Sequence, residues 1–145
     1  MNLTPHFSLA ELTASDTATS RKIDNTPTPA ITANLTRLAG VLEQVRTLVG
    51  APIRVSSGYR ALALNKAIGG SATSAHVLGL AADISTSAMS PKALAWMIFQ
   101  SEIVFDQLIY EGGWVHIGLS TGKPRRQVLT AKFGPGGTTY VSGIV

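Results

Sequence analysis

The sequence predicts an α+β domain in which helices pack on a small, mainly antiparallel sheet. Its 145 residues are 45% hydrophobic and 14% charged, the composition of an ordinary globular protein that can build its own core. Apolar residues recur at helical spacing in the first half of the chain, whereas short strand-like runs separated by glycines prevail in the second half. A chain of this length is expected to form one domain, residues 1–145.

The N-terminal arm, residues 1–29, is expected to contain one short helix. Ser8 precedes the segment LAELTAS as its cap, and Glu11 three residues later completes the pattern of a capping box. The arm then ends at a break that is rich in proline and threonine.

Three further helices are predicted from apolar spacing and end signals. Residues 31–49 place isoleucine, leucine and valine at helical intervals, and Gly50 is expected to end that helix. The segment RALALNKAIGG predicts a short helix, and in SPKALAWMIFQS Ser90 is the cap with a proline at the first helical position. Trp96 lies on the apolar face of this last helix, so it is expected in the core, as is Tyr59.

The strands are predicted mainly in the second half. The segments PIRVSSGY and GLAADIS each predict a strand. FDQLIYEGGWVHIGL predicts a hairpin, because two apolar runs flank Gly112 and Gly113 and this pair signals a two-residue turn. Residues 130–145 are rich in glycine and are expected to form a loose C-terminal tail with one last short strand.

This hairpin would place several polar side chains on one face of the sheet. A turn at the two glycines pairs Glu111 with Trp114, and Ile109 with His116. Because paired residues share a face and side chains alternate along a strand, Glu111, Trp114 and His116 should project together. Asp106 falls on the opposite face and is expected to have a structural role.

Composition and charge exclude several classes of function. The chain has no cysteine, so disulfides and thiolate zinc sites are excluded and any metal must be held by histidine and carboxylate. The net charge of +4 is mild and the basic residues are scattered apart from GKPRR, so nucleic-acid binding is not expected. The N-terminus does not resemble a secretory signal and no apolar run reaches the ~18 residues of a membrane span, so synthesis in the cytoplasm without membrane insertion is expected.

A metal site is one interpretation of the segment SATSAHVLGLAAD, in which His76 and Asp83 stand among small and apolar residues. With His116 and Glu111, two histidines and two acids could converge. Two nitrogens and one carboxylate oxygen, with water in the fourth position, are the usual ligand set of catalytic zinc, and the remaining acid would be free to act as a base. The alternative is structural, with His76 in a turn and Asp83 in a strand, each hydrogen-bonded to the backbone. Taken one by one, the residues leave both interpretations open.

Three motifs in order, SSGYR, SAHVLGLAAD and EGGWVHIGL, resemble the zinc D-alanyl-D-alanine peptidase family, which is related in fold to the hedgehog signalling domain. That family carries Ser-x-His-x6-Asp, followed by an acid and by Trp-x-His or Trp-His. The resemblance extends over nearly the whole chain, through FSLAELTAS, NTPTPAITANLTRLAGVLEQVR and GYRALALNKAIGG. The branch that it resembles is that of the small phage-encoded and prophage-encoded peptidases of the bacterial cell wall.

The resemblance implies a role for each matching position. His76, Asp83 and His116 would bind zinc, one ion per chain. Glu111 would be the catalytic base, and Arg60 would line the site as a polarising or substrate-binding cation.

Three neighbouring positions complete the comparison with the family. Ser74 would hold substrate or fix its loop. Trp114 is expected either in the core or as a wall of the cleft that binds substrate. In several relatives the catalytic acid stands three residues before the last histidine, a position that Gly113 occupies here. The Gly-Gly turn is taken as the compensation that lets Glu111 reach the same place.

The implied function is a zinc peptidase that cuts a peptide bond of the peptidoglycan stem. It would be a monomeric phage or prophage endolysin of the L-alanyl-D-glutamate endopeptidase or D-alanyl-D-alanine carboxypeptidase type. Such a protein would be made in the host cytoplasm, act at the cell wall in the periplasm and need a holin for release. Two alternatives of the same fold stay open: a zinc-containing wall-binding module without catalysis, and a phage structural protein.

Overall fold

A computed structural model describes residues 1–71 and 73–145. The described residues form a two-stranded sheet, a six-stranded sheet and five α-helices. In chain order the elements are β1 (Asn2–Thr4), β2 (Phe7–Ser8), α1 (Leu9–Thr13), α2 (Asp16–Ser20), α3 (Pro29–Val49), β3 (Arg54–Ser57), α4 (Leu62–Ala67), β4 (Ala81–Ser85), α5 (Pro91–Phe99), β5 (Gln107–Tyr110), β6 (Val115–Gly118), β7 (Gln127–Gly134) and β8 (Gly137–Ser142). A single 3-10 turn, Ala75–Leu78, leads from α4 towards β4.

The six-stranded sheet has the strand order β3-β4-β6-β5-β7-β8. Its neighbouring strands are antiparallel except for β5 and β7, which run parallel because the chain leaves β6 and crosses to the other side of β5. The predicted α+β class with a mainly antiparallel sheet is therefore confirmed. In the described part of the chain, no helix combines the length and the apolar character that crossing a bilayer requires.

The long helix α3 ends at Gly50, as expected, and begins at Pro29, two residues before the predicted start. The Thr28 hydroxyl accepts a hydrogen bond from the Ile31 N–H, and a proline occupies the first turn. At the other end, Gly50 adopts a φ of 75°, a left-handed conformation that glycine reaches without strain. Burial of each large apolar side chain contributes about 1.5–3 kcal/mol. The helix buries Leu35, Leu38, Ala39, Leu42 and Val45.

The two faces of the large sheet have different chemical characters. One face packs against α3 and α5 and contributes Ala82, Ile84, Leu108, Val115 and Ile117 to the main hydrophobic core. Because side chains alternate along each strand, the intervening residues project from the opposite face. Asp83, Ile109 and His116 lie on this second face, which is the site of the polar groups considered below.

The N-terminal arm contains more structure than the one short helix expected. It forms a two-stranded ladder and the two five-residue helices α1 and α2, which begin at the caps Ser8 and Ser15. The Ser8 hydroxyl accepts a hydrogen bond from the Glu11 N–H, so the predicted cap is confirmed. Phe7 and Leu12 are buried in the main core, and the arm is thereby held to the sheet and to α3.

The prediction of a loose tail at residues 130–145 is wrong. Strands β7 and β8 form a regular antiparallel hairpin from Leu129 paired with Ser142 to Gly134 paired with Gly137. Strand β7 also pairs along its first half with β5, so its backbone is anchored to an interior strand. Every side chain of β8 is exposed. The glycine-rich composition therefore reflects the lack of buried side chains in this segment. The segment is ordered by hydrogen bonds between backbone groups.

Trp96 is the second correction to the expected core. Its side chain is 45% exposed and packs edge-on against Phe99, with ring centroids 5.4 Å apart. Helix α5 buries Leu94, Ala95 and Ile98 instead. These residues form the face of the helix that is turned towards the sheet, and Trp96 lies beside that face. Tyr59 is buried, as expected.

Candidate metal centre

Two neighbouring strands bring Asp83 and His116 together. The residues are direct partners in the antiparallel pair of β4 and β6. Directly opposed side chains on one face of such a pair lie about 4.5–5.5 Å apart at Cβ, so contact follows from the register alone. The His116 Nδ1 atom lies 3.2 Å from Asp83 Oδ1.

A separate loop supplies the third member of the cluster. His76 lies on the 3-10 turn Ala75–Leu78, which begins where the Ser74 hydroxyl accepts a hydrogen bond from the His76 N–H. The turn ends at Gly79, whose φ is 71°. His76 Nε2 lies 3.3 Å from the same Asp83 Oδ1. Each of the three residues offers one ligand atom, and these atoms all lie within 4.8 Å of one another. Among the described residues, His76, Asp83 and His116 therefore form a group that could hold a metal ion.

The backbone carbonyl of Gly58 fixes the orientation of the His76 ring. Since a carbonyl can only accept, the proton of the 2.8 Å hydrogen bond is on His76 Nδ1, and Nε2 is the ring nitrogen turned towards Asp83. A glycine after a predicted strand is the one feature of the sequence that bears on this contact. The glycine is required because a Cβ at this position would lie 2.4 Å from the Leu12 carbonyl oxygen. Gly58 thus lets α1 approach closely while its own carbonyl holds the histidine.

The electrostatics favour an ionised carboxylate at the centre of the cluster. Burial alone would raise the pKa of Asp83, but hydrogen bonds and charge interactions with His116 and His76 hold it well below its usual range. Both imidazole rings are buried, and they meet edge-on with centroids 5.1 Å apart. The structural alternative, in which these side chains bond to the backbone, accounts for Nδ1 of His76 alone. It does not explain why His76 Nε2, Asp83 Oδ1 and His116 Nδ1 converge.

The β5–β6 hairpin has the predicted register. Ile109 pairs with His116, and the Glu111 N–H donates to the Trp114 carbonyl over 3.0 Å. Gly112 adopts a φ of 80°, which explains the need for glycine in this turn. The indole Nε1–H of Trp114 donates to Glu111 Oε2 over 3.0 Å, a contact that the sequence did not predict.

Glu111 stands beside the cluster in a partly desolvated position. Burial, followed by the negative charge of Asp83, raises the pKa of the Glu111 carboxyl, and the neighbouring His116 partly opposes this effect. A carboxyl group with a raised pKa binds a proton more readily than an exposed glutamate does. The arrangement can therefore accept and return a proton next to the three candidate ligands.

Arg60 lies in the same cleft, just before helix α4. Burial lowers the pKa of its guanidinium, while the charges of Asp83 and Glu111 raise it, so the cation faces both carboxylates. Its Nη2 atom donates to the Ser74 hydroxyl over 3.5 Å, and its backbone N–H donates to the His76 carbonyl over 3.0 Å. Arg60 and Ser74 therefore both contact the loop that carries His76.

Asp106 forms an ion pair with Arg125. Its two carboxylate oxygens accept hydrogen bonds from the Arg125 guanidinium, the shortest over 2.8 Å, and the Arg125 N–H donates to the same group. Asp106 is therefore engaged in a structural contact, but both residues line the same cleft as Glu111, so its expected place on the opposite face does not keep it out of the cleft. His6, near the N-terminus, pairs with Glu43 instead of approaching the cluster.

These groups share one open cleft of about 750 Å³. The three clustered residues, Arg60, Ser74, Glu111 and Trp114 all line it, so every predicted site residue faces the same space. The cleft also continues onto the last hairpin, where Leu129 and Tyr140 contribute to its wall. The sequence did not predict this part of the cleft, since Tyr140 falls in the segment expected to be loose and no element was predicted at Leu129.

Comparison with known protein families gives one match. The family model described as Peptidase M15 matches residues 5–118. The matched range includes every predicted site residue and ends with β6, before the last hairpin. The comparison with curated proteins finds no match to this chain.

Proposed function

Since the chain belongs to the Peptidase M15 family, a family of metallopeptidases, we propose that it is a zinc-dependent hydrolase of a peptide bond in the peptidoglycan stem. The observation that carries this proposal is the convergence of His76, Asp83 and His116, whose ligand atoms lie within 4.8 Å of one another. The carboxyl group of Glu111 faces the same cleft and supplies the proton-transferring group that hydrolysis requires.

The donor set fits a zinc ion. Two imidazole nitrogens and one carboxylate oxygen are ligands that zinc accepts, and three protein ligands are typical of a catalytic zinc site. The hydrogen bond from His76 Nδ1 to the Gly58 carbonyl is the kind of support that metal-binding histidines usually have. When bound, zinc would act as a Lewis acid and lower the pKa of water to about 7.

The other steps of the hydrolysis are assigned to side chains of the cleft. We assign Glu111 as the general base that takes a proton from the attacking water on a carboxylate oxygen and then passes it to the leaving nitrogen. The hydrogen bond from Trp114 holds Oε2 in place and leaves Oε1 for this transfer. The Arg60 cation faces the cleft, where it can bind the substrate carbonyl oxygen as negative charge develops. Ser74 would fix the His76 loop, and Trp114 would form a wall for the substrate.

We also propose that the protein is a phage or prophage endolysin that acts as a monomer. It would cut the L-alanyl-D-glutamate or a D-alanyl-D-alanine bond at the wall, after synthesis in the host cytoplasm and release by a holin. The motif order quoted above supports this branch of the family. Expression in a bacterium with and without an added export signal tests the route. We expect toxicity from the exported form alone, and equal toxicity of both forms would contradict the need for a holin.

The decisive experiment is a mass-spectrometric digest of defined soluble muropeptides by the zinc-loaded protein. We expect one class of stem bond to be cut, and no product from the Glu111→Gln variant carrying the same amount of zinc. Parent protein that holds zinc and releases no product from any muropeptide would contradict the proposal. It would support the non-catalytic wall-binding module or the phage structural protein instead.

A further inference from the structure

A continuous row of paired residues leads from the candidate metal centre to the last hairpin. His116 on β6 pairs with Ile109 on β5, and Ile109 pairs with Leu129 on β7. Paired residues share one face of the sheet, and adjacent strands lie about 4.8 Å apart, so Leu129 is about 10 Å from His116 across that face. Leu129 is half-buried and lines the same cleft as the cluster.

Tyr140 extends this row into an apolar strip. It pairs with Ala131, two residues beyond Leu129 on the same strand, so its ring projects from the face that carries Leu129. The ring is 52% exposed and lines the cleft. Ile109, Leu129 and Tyr140 therefore form a strip that starts beside the candidate metal centre and runs outward.

The borders of the strip restrict what it can bind. On one side the Gln107 amide donates to the Gln127 side chain over 2.8 Å, so these two polar groups satisfy each other. Beyond them the Arg125 guanidinium is engaged by Asp106, and the strip itself contains no ionisable side chain apart from the tyrosine hydroxyl. The surface is suited to an aliphatic chain, and the Tyr140 hydroxyl offers a polar partner at its outer end.

We infer that Ile109, Leu129 and Tyr140 form a substrate subsite for an aliphatic side chain about three residues from the scissile bond of an extended peptide. The inference rests on the proposed function and deepens it. An extended peptide advances about 3.3 Å per residue, so a 10 Å separation corresponds to three residues. The last hairpin, which the family match does not reach, would thereby select substrates that are long on this side of the cut.

The subsite should affect the binding of long peptides and leave the chemistry of short ones unchanged. Contacts remote from the reacting atoms change kcat/KM for the substrates that reach them, with little change for substrates that do not. We expect Leu129→Ala and Tyr140→Ala each to lower kcat/KM roughly tenfold for a stem pentapeptide. The dipeptide fragment that contains the scissile bond should be cut at the parent rate.

Val141→Ala provides the matched control on the same strand. Val141 pairs with Thr130, so it projects from the other face of the hairpin. It is the next residue after Tyr140, and both side chains are exposed. We expect its kcat/KM values for both peptides to equal those of the parent. Thermal unfolding of all three variants shows whether the hairpin remains intact.

Peptide affinity in the zinc-loaded Glu111→Gln background separates this inference from the proposed function. If the pentapeptide binds and Tyr140→Ala weakens its affinity while the dipeptide is unaffected, the subsite stands even where no turnover occurs. The inference would be overturned if Tyr140→Ala weakened the affinity for both peptides equally or for neither. It would also be overturned if the Glu111→Gln protein with Tyr140 intact did not bind the pentapeptide. A loss confined to insoluble cell walls would also overturn it, because the strip would then be contacting glycan.

Discussion

The two hairpins of the large sheet resemble each other in geometry and differ in surroundings. The first, β5 and β6, and the second, β7 and β8, each consist of antiparallel strands joined by a tight turn that contains glycine. Strands β5 and β6 are interior strands with partners on both sides, and the side chains of β6 are all buried. Strand β8 is the edge of the sheet, and its side chains are all exposed.

This difference shows where the fold can hold atoms in fixed positions. A strand with two neighbours and a buried face has its register specified from both sides, because a slip of one residue would expose the core face. The groups of the candidate metal centre on the sheet, Asp83 and His116, are on such strands. An edge hairpin has one neighbouring strand, so its exposed residues can be substituted at little cost in stability. This tolerance suits a surface that distinguishes substrates.

The largest expected effect is the loss of metal when the first hairpin is altered. We expect the parent protein to bind about one zinc per chain, and His116→Ala to lose most of it together with activity, since two ligands cannot hold the ion as three do. His76→Ala should behave in the same way. Elemental analysis after dialysis measures the stoichiometry.

Ser142→Ala is the matched control on the second hairpin. Ser142 pairs with Leu129 and so lies in the same row as His116, three strands away. Its replacement should leave the metal content unchanged. Full stoichiometry in both histidine variants would contradict the site.

The next effect concerns the base on the first hairpin. Glu111→Gln preserves size and hydrogen bonding, and we expect it to lower kcat by roughly 10²- to 10⁴-fold while zinc content is retained. Asp106→Asn should cost far less activity, because the carboxylate of Asp106 is engaged by Arg125. Steady-state kinetics on a muropeptide measure both. If Asp106→Asn abolishes turnover and Glu111→Gln does not, the base has to be reassigned.

A smaller effect should follow from lengthening each turn by one glycine. Insertion between Gly112 and Gly113 disturbs the turn that places Glu111 beside His116, so we expect kcat to fall with Glu111 still present. The same insertion between Pro135 and Gly136 in the second hairpin lengthens an exposed turn that carries none of the clustered residues and should leave the dipeptide rate unchanged. Equal losses from both insertions would show that the hairpins do not differ in the way described.

The smallest effect involves the ion pair that joins the two hairpins. Hydrogen bonds from Arg125 lower the pKa of Asp106 from its ordinary 3.8. A carboxyl group whose pKa is lowered by folding stabilises the folded state above its unfolded pKa, and this stabilisation is lost as the pH falls through the folded value. We therefore expect Asp106→Asn to reduce the unfolding free energy by about 0.2–1 kcal/mol at neutral pH, the range of solvent-exposed pairs. The difference between the two proteins should begin to shrink as the pH falls below 3.8 and vanish below the lower pKa of the folded protein, as urea unfolding at several pH values will measure.

The parts predicted from sequence are those specified by local signals. Helix α3 has its terminal glycine at the expected place, and the Gly112–Gly113 turn determines the pairing of its own strands. Both signals act within a few residues, where propensity and turn geometry decide the conformation. The placement of Glu111 next to His116 followed from that register.

The parts that sequence analysis missed depend on distant partners. The order of β7 comes from its pairing with β5, some twenty residues earlier, and no pattern of exposed side chains in the tail reports it. Trp96 was misplaced because a nine-residue helix has several apolar side chains, and packing against the sheet selects which of them are buried. The Gly58 carbonyl that holds His76 is a backbone atom, and side-chain patterns do not reveal such contacts.

The hydrogen bond between His76 and Gly58 also couples metal affinity to the docking of the N-terminal arm. The segment that carries Gly58 is held against α1, because the Tyr59 N–H donates to the Leu12 carbonyl over 2.8 Å. Anything that releases α1 therefore frees the carbonyl that orients the first candidate ligand. Thermodynamic linkage makes this coupling reciprocal, so a metal that binds the oriented histidine more tightly stabilises the docked arm by the same free energy. In the metal-loaded protein, the amide hydrogen of Tyr59 should consequently exchange with solvent more slowly than in the metal-free protein.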